Sequence, residues 1–259
     1  MTGRGWQSDR PLLICYAPLG DPQCPANMLA IYAEQGVNIV EVGVPTQNPY
    51  LDGETVADSM RRALRLTDPI DVIRDNIAAH AEFMRERLQL VLMGYREMPF
   101  KAFTSEVKKG LVHGLIIADT STDGDSADLR QWLNLEGVKR VGFVDAGLSS
   151  HLIKRARLAD GYVMLQAYDG PTGVRAELDS SNAERLRILR AAGIDLPIAL
   201  GFGIGTPEQA AAAIRMGADG VVVGSACIEA ALHGAASLGR FIAELRAAID
   251  QESLLGASG

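Results

Sequence analysis

Short runs of consecutive apolar residues recur along the chain, each followed by a turn and a longer amphipathic stretch. A run without polar alternation is typical of a strand buried on both faces, as in a parallel sheet. Eight such runs occur, at Leu12–Ala17, Asn38–Gly43, Gln89–Gly94, Gly114–Ala118, Lys139–Val144, Gly161–Leu165, Pro197–Leu200 and Gly220–Gly224. The pattern therefore predicts eight parallel strands.

The stretches between these runs carry helical spacing of apolar residues. The clearest helix start is Thr206-Pro207-Glu208, because threonine is a good N-cap, proline suits the first helical position and an acid suits the first turn. The spacing predicts helices over Ala26–Gln35, Thr55–Leu66, Ile70–Leu88, Pro207–Met216 and Leu238–Leu255.

Eight strands that alternate with helices are what an α/β fold of the (β/α)8 TIM-barrel type requires. An open, doubly wound sheet is the alternative, but it favours a glycine-rich dinucleotide loop after the first strand. Here Pro18–Pro22 reads P-L-G-D-P instead. No linker or shift in composition divides the chain, so we expect residues 1–259 to form a single barrel domain.

Composition narrows the possible partners. Of 259 residues, 47% are hydrophobic and 22% are charged, and the net charge of −7 argues against a nucleic-acid or anionic-membrane surface. No signal segment or membrane-length apolar run occurs, so we expect a soluble cytoplasmic protein. The three cysteines (Cys15, Cys24 and Cys227) and four histidines lack the spacing of a disulfide framework or metal site.

In a TIM barrel, the chemistry lies at the carboxyl ends of the strands and in the loops that follow. Glu41 lies inside the second apolar run, where an ionised carboxylate is costly unless it is paired or faces a polar cavity. It is either a structural acid or a carboxyl group with a tunable pKa. Asp52 lies in the long loop Pro45–Asp58 and is either a turn residue or a functional one, with equal weight. Asp119 and Asp145 end the fourth and fifth strands, and each is either a loop acid or a catalytic acid.

Glycine-rich turns follow the last three predicted strands. They are Thr172-Gly173, Gly201–Gly205 and Gly224-Ser225, and the last of these opens a helix. Phosphate sites in barrels are built from the loops after strands seven and eight and from a helix N-terminus, where backbone N–H groups can approach the anion. The pattern therefore predicts a small phosphorylated ligand.

Four blocks in the same order resemble the α-subunit family of tryptophan synthase, which includes stand-alone indole-3-glycerol-phosphate lyases. They are L-G-D-P at Leu19–Pro22, E-V-G-V-P-T-Q-N-P-Y-L-D-G-E-T at Glu41–Thr55, G-F-G-I-G-T-P-E-Q at Gly201–Gln209, and G-S-A at Gly224–Ala226. The resemblance implies a lyase of tryptophan biosynthesis that cleaves indole-3-glycerol phosphate to indole and glyceraldehyde 3-phosphate without a metal or cofactor.

The resemblance also implies roles for single residues. Glu41 matches the catalytic glutamate, which acts as general acid, and Asp52 matches the aspartate that accepts the indole N–H. Thr172 matches a loop threonine that orients this aspartate. The remaining matches are to substrate-binding positions: Tyr16 and Phe202 to walls of the indole pocket, and Gly173, Gly203, Gly224 and Ser225 to phosphate-binding positions.

The chain departs from the family pattern at several positions. Met164 stands where a tyrosine near the catalytic glutamate is usual, although Tyr162 lies on the same strand face two residues earlier. Asn48 replaces an acid associated with signalling to a β-subunit, so the departures count against the ordinary β-subunit partnership. Two alternatives therefore stay open: a non-catalytic subunit that binds a phosphate ligand, and a barrel enzyme that acts on another aryl or sugar phosphate.

Overall fold

The computed structural model describes residues 6, 8–119, 126–170 and 178–256, which form a parallel sheet surrounded by helices. The strands are β1 (Leu12–Ala17), β2 (Ile39–Gly43), β3 (Gln89–Gly94), β4 (Gly114–Ile117), β5 (Lys139–Arg140), β6 (Gly142–Val144), β7 (Val163–Gln166), β8 (Ile198–Gly201) and β9 (Gly220–Val223). All eight predicted strand regions are confirmed.

Eleven α-helices lie in the described part of the chain, with a short 3-10 helix at Phe100–Phe103. The α-helices are α1 (Met28–Glu34), α2 (Glu54–Ala63), α3 (Pro69–Ala79), α4 (Ala81–Glu86), α5 (Thr104–Lys108), α6 (Ala127–Glu136), α7 (Ser150–Ala156), α8 (Asn182–Ala191), α9 (Pro207–Arg215), α10 (Ser225–Leu232) and α11 (Ala235–Gly256). Within the described ranges, none is both long and apolar enough to cross a bilayer.

The sheet closes into a barrel where its two edge strands, β5 and β6, follow one another in the chain. The strand order is β5-β4-β3-β2-β1-β9-β8-β7-β6, with every pairing parallel. The two edge strands flank Val141, whose backbone N–H donates to the Leu115 carbonyl at 2.9 Å, while the N–H of Gly142 donates to the Tyr162 carbonyl at 2.9 Å. β5 and β6 are therefore two halves of one barrel strand, and the predicted (β/α)8 barrel is confirmed.

The strands are buried on both faces, as their unbroken hydrophobicity predicts. Alternate residues, such as Leu13 and Val40, face outward into the main core under the helices. The residues between them, such as Ile14 and Ile39, fill the barrel interior. Ten buried side chains form that inner cluster: Leu12, Ile14, Ile39, Val91, Ile116, Val141, Tyr162, Met164, Ala199 and Val222.

Two predicted boundaries were wrong. The stretch Ile70–Leu88 is not one helix but α3 and α4, which meet at His80. The His80 ring Nδ1 bonds the Asn76 carbonyl at 2.9 Å, so the side chain occupies the acceptor that the His80 backbone N–H would use in a continuous helix. The loop after β2 is also shorter than Pro45–Asp58, because α2 already begins at Glu54. The Thr206 cap is confirmed: its side chain accepts from the Gln209 N–H.

A buried ion pair ties the loop after β1 to α2. The Arg62 guanidinium donates to both carboxylate oxygens of Asp21, with Nε–Oδ1 at 2.9 Å and Nη2–Oδ2 at 2.6 Å. The Asp21 side chain is wholly buried. Burial alone would raise the pKa of Asp21, but hydrogen bonds from Arg62 and the Gln23 backbone outweigh it and hold the pKa below its ordinary value. The pair fixes the helix that begins just after Asp52.

We expect Asp21→Asn to lower the free energy of unfolding by about 2 kcal/mol at pH 7, because it leaves Arg62 without its charged partner. Asp58→Asn on the same helix is the matched control, since Asp58 pairs with Arg61 at the exposed surface and should contribute less than about 0.5 kcal/mol. Urea unfolding followed by circular dichroism measures both. Because the Asp21 pKa is depressed, the contribution of Asp21 to stability should disappear only as the pH falls below about 4. Equal losses of stability in the two variants would contradict a stabilising role of the buried pair.

Candidate active site

A cavity opens at the carboxyl ends of the strands. Its wall is mainly apolar, with two carboxyl groups from β2 and the loop after it and glycine-rich backbone from the loops after β8 and β9. The lining residues are Tyr16, Glu41, Asp52, Val56, Met93, Met164, Phe202, Gly203, Ile204, Val222, Gly224 and Ser225. Seven of the nine sequence-predicted site residues thus meet at one cavity, whereas Thr172 and Gly173 lie outside the described residues.

Glu41 is held in the barrel interior. It is the third residue of β2, next to Tyr16 on β1 and Val91 on β3 in the sheet register, and its exposure is only 1%. The Tyr162 hydroxyl, from across the barrel, donates a hydrogen bond to Glu41 Oε1. Burial raises the pKa of Glu41 to about 7, although the hydrogen bond from Tyr162 acts in the opposite direction. A carboxyl group with this pKa can both donate and accept a proton near neutral pH.

Asp52 lies in the turn that precedes α2. The Tyr95 hydroxyl donates to Asp52 Oδ2 at 2.8 Å and accepts from the Leu51 backbone N–H at 3.1 Å. The Tyr50 ring packs on the Tyr95 ring with centroids 5.2 Å apart. These contacts fix the carboxylate at the cavity edge. Tyr95 is not among the site residues predicted from the sequence, although it directly follows β3, at a strand end where barrel chemistry lies.

Two aromatic rings shape the apolar part of the cavity. The Tyr16 ring lies across Gly43, where any Cβ atom would collide with it, so a glycine at that position of β2 makes room for the ring. The Tyr16 hydroxyl is buried and makes no hydrogen bond to the described residues. Phe202 has a positive φ of 67°, which is rare for a bulky residue and clusters at functional sites. Its ring packs on Phe143, with centroids 5.9 Å apart.

The loops after β8 and β9 contribute backbone suited to an anion. Gly203 follows β8 with φ of 85°, and Gly224 precedes α10, which begins at Ser225. The first amides of a helix have no acceptor within the helix and lie at the positive end of its dipole. Apart from its chain neighbours, no atom of the described residues lies within 4 Å of the position that a Cβ atom of Gly224 would occupy. This backbone can therefore hold a phosphate group.

The other acids considered from the sequence do not line this cavity. Asp119 accepts hydrogen bonds from the Arg96 backbone N–H at 2.7 Å and the Tyr50 hydroxyl at 3.1 Å. Asp145 accepts from the backbone N–H of Ser149 at 2.7 Å, just before α7. Both are loop acids of the barrel mouth. Four apolar lining residues are also absent from the site predicted from the sequence: Val56, Met93, Ile204 and Val222.

Among the described residues, no group of three or more histidine, cysteine or acidic side chains is placed to hold a metal ion. A closed parallel barrel with two carboxyl groups, an apolar cavity and a helix N-terminus at one mouth defines a barrel enzyme for acid–base chemistry on an apolar, phosphorylated molecule.

Comparison with known proteins assigns this barrel to a family. The family model described as tryptophan synthase alpha chain matches residues 4–252. The tryptophan synthase alpha chain of Geobacter sulfurreducens is 32% identical, with 93% of this chain and 94% of the relative covered. That of Zymomonas mobilis is 34% identical, with 87% and 85% covered. The chain belongs to the tryptophan synthase alpha chain family.

Solved structures agree with this assignment. A structure of Mycobacterium tuberculosis tryptophan synthase aligns with a TM-score of 0.78 and 28% identity, covering 93% of each chain. A chain of the Pyrococcus furiosus tryptophan synthase α2β2 complex aligns with a TM-score of 0.77 and 27% identity, covering 91% of this chain and 98% of that one. Members of the family are lyases that cleave indole-3-glycerol phosphate to indole and glyceraldehyde 3-phosphate.

We expect Tyr162→Phe to raise the pKa of Glu41 above about 7, because the hydrogen bond that favours the carboxylate is removed while burial stays. A shift of about one unit is expected. Carbon-13 NMR of protein labelled at glutamate carboxyl carbons measures it, and Glu41→Gln identifies the resonance. An unchanged or lowered pKa would show that Tyr162 does not stabilise the carboxylate.

Proposed function

We propose that this chain is a carbon–carbon lyase that cleaves indole-3-glycerol phosphate by a retro-aldol reaction, with Glu41 as its general acid. The observation that carries the proposal is the buried Glu41 carboxyl, with a pKa of about 7, at a cavity that Asp52 also lines. A general acid works best when its pKa lies near the operating pH. Family membership supplies the substrate, and the cavity supplies a matching arrangement of groups.

Glu41 moves the protons that the cleavage requires. Protonation of indole C3 makes that carbon able to leave. Loss of a proton from the substrate hydroxyl on the carbon bonded to C3 turns that oxygen into the carbonyl of glyceraldehyde 3-phosphate. The electrons of the broken carbon–carbon bond return to the ring and restore indole. One proton enters at C3 and one leaves the hydroxyl, so a single carboxyl group can donate the first and accept the second.

Asp52 stabilises the positive charge that develops toward the indole nitrogen when C3 is protonated. A carboxylate that accepts the indole N–H hydrogen bond stabilises this charge more strongly in a cavity without water than in bulk water, provided that the carboxylate is already in position. The hydroxyl of Tyr95 supports this role, because it anchors Asp52 Oδ2 at 2.8 Å. Tyr95 is thus a positioning residue for Asp52 in this mechanism.

The remaining cavity residues bind and orient the substrate. Tyr16 and Phe202 flank the indole ring, and Val56, Met93 and Val222 exclude water around it. The phosphate group lies at Gly203, Gly224 and Ser225, where the N-terminus of α10 attracts an anion. Holding the phosphate at one end and the indole at the other places C3 near Glu41, which is how binding energy assists proton transfer.

Glu41→Gln should lower the rate of indole release from indole-3-glycerol phosphate at least about 100-fold, because the amide cannot donate the proton. Asp52→Asn should cost about 100-fold through loss of charge stabilisation. Glu97→Gln is the control, since Glu97 bonds Thr46 at the barrel mouth outside the cavity and should leave the rate unchanged. Indole and glyceraldehyde 3-phosphate are measured together. Products other than these two would support another barrel enzyme, and full activity of Glu41→Gln would refute the proposed mechanism.

A β-subunit is the candidate protein partner, and the barrel mouth is where its influence would enter. A groove beside the cavity is lined by the loops after β2 and β3, including Gln47, Asn48 and Pro99. The loop after β2 also carries Asp52, so contact there would affect the site directly. Asn48 supplies no charge to such a contact, and we propose that the chain acts without an activating subunit.

We therefore expect purified chain alone to release indole at a rate that changes less than about threefold when a tryptophan synthase β-subunit is added. A threefold change in rate corresponds to only about 0.7 kcal/mol of activation free energy. Asn48→Asp, which restores an acid in the loop, tests whether this residue limits the response. Strong stimulation of the unaltered chain would show that it depends on a partner subunit.

A further inference from the structure

We propose that Trp6 is a positioning residue for Glu41: its ring closes the underside of the barrel and fixes Tyr162, which holds the Glu41 carboxyl. The proposal rests on the proposed function, in which Glu41 transfers protons. Trp6 lies at the amino ends of the strands, opposite the cavity mouth, and it does not line the cavity. Its influence on the reaction would therefore pass through Tyr162 and not through the substrate.

Two strand-end glycines form the slot for the Trp6 ring. A Cβ atom on Gly114, the first residue of β4, would lie 2.5 Å from the ring. A Cβ atom on Gly161, just before β7, would lie 3.0 Å from the ring. Real Cβ atoms do not approach other atoms as closely as 2.5 Å, so a side chain at Gly114 would displace the indole, whereas one at Gly161 would shift it by a few tenths of an ångström. The strands thus leave space that Trp6 fills.

Further contacts fix the ring within this slot. The Trp6 backbone N–H donates to the Gly161 carbonyl at 3.3 Å, which attaches the segment to the start of β7. The Lys139 ammonium lies 5.3 Å from the centre of the ring, within the range of a cation–π interaction. The ring is therefore held both by the backbone and by a charge at the barrel's lower rim.

The Trp6 ring meets Tyr162 directly. Their ring centroids are 6.2 Å apart, with an angle of 41° between the planes. Tyr162 is fully buried, and its hydroxyl donates to Glu41 Oε1. A tyrosine ring moves as a rigid plate, so its lower edge and its hydroxyl cannot shift independently. Loss of the support below would move the hydroxyl relative to the carboxyl group, and would open a route for water from the underside.

The other ionisable groups around Glu41 do not depend on Trp6. Cys15 and Tyr16 come from β1, and Asp52 and Tyr95 come from the loops at the cavity mouth. None of these is in the slot below the barrel. Lys139 is the charged group within cation–π range of the Trp6 ring among the described residues. Removal of the ring therefore changes the hydration and hydrogen bonding of Glu41 with little change in its neighbouring charges.

The first test is the pH dependence of kcat for Trp6→Ala. A weaker Tyr162 hydrogen bond would raise the Glu41 pKa and admitted water would lower it; because burial is the larger cause of the raised pKa, water admitted from below should prevail and lower the midpoint of the alkaline limb by about one unit. We expect kcat to fall about tenfold and KM to stay within twofold, because the substrate-binding residues are untouched. Tyr162→Phe should shift the same midpoint upward, so the two variants have opposite signs. The substrate phosphate also ionises in this range, but equally for every variant.

Trp132→Ala is the matched control. Trp132 is the only other tryptophan; it lies on α6, where it packs on Phe100 and donates to the Thr104 hydroxyl. Its truncation should lower stability without moving the pH midpoint. Trp6→Phe keeps an aromatic ring over Tyr162 and should restore most of kcat. If Trp6→Ala does not fold, Gly114→Ala provides the second test, since it keeps the tryptophan but displaces its ring.

Two results would overturn the inference: an unmoved midpoint in folded Trp6→Ala or Gly114→Ala, or an equal shift in Trp132→Ala. Either would make Trp6 a purely structural plug. Failure of the proposed function gives a different result, because Glu41→Gln would then retain activity, or the unaltered chain would release no indole. Circular dichroism at each pH separates loss of folded protein from a change in the site.

Discussion

The burial of one carboxyl group inside the barrel is the constraint on which the site depends. Glu41 has almost no exposure to water, and its ordinary pKa of 4.5 rises to about 7. That difference corresponds to roughly 3 kcal/mol of folding free energy, which is present when the carboxyl group is protonated and lost as the pH rises from about 4.5 to about 7. The barrel must therefore be stable enough to tolerate an acid that is useful because it is poorly solvated.

The rest of the molecule supports this placement from three directions. The inner cluster of apolar side chains excludes water around β2, and Tyr162 reaches across the barrel to Glu41. Above the carboxyl group, the Asp21–Arg62 pair fixes α2 and hence the turn that carries Asp52. These groups act on one small volume, so changes far from the substrate can still alter proton transfer.

Much of this arrangement followed from local patterns. The strands and the Thr206 cap could be predicted because burial on both faces and capping chemistry depend on neighbouring residues. The rule for strand ends then selected Glu41, Asp52 and the turns around Gly203 and Gly224. Periodicity failed at His80, because a side-chain contact with the Asn76 carbonyl ended a helix that the apolar pattern continued.

Local sequence patterns predicted the order of strands and helices, the barrel they form and the mouth at which its candidate site lies. The side chains that meet there could be found only from the folded chain: Tyr162 reaches Glu41, which is 121 positions away in the chain, Tyr95 anchors Asp52, and Trp6 fills the space left by two glycines. The physical reason is that strand periodicity reports only which face a residue occupies. Contacts across a barrel depend on the stagger and tilt of all its strands together.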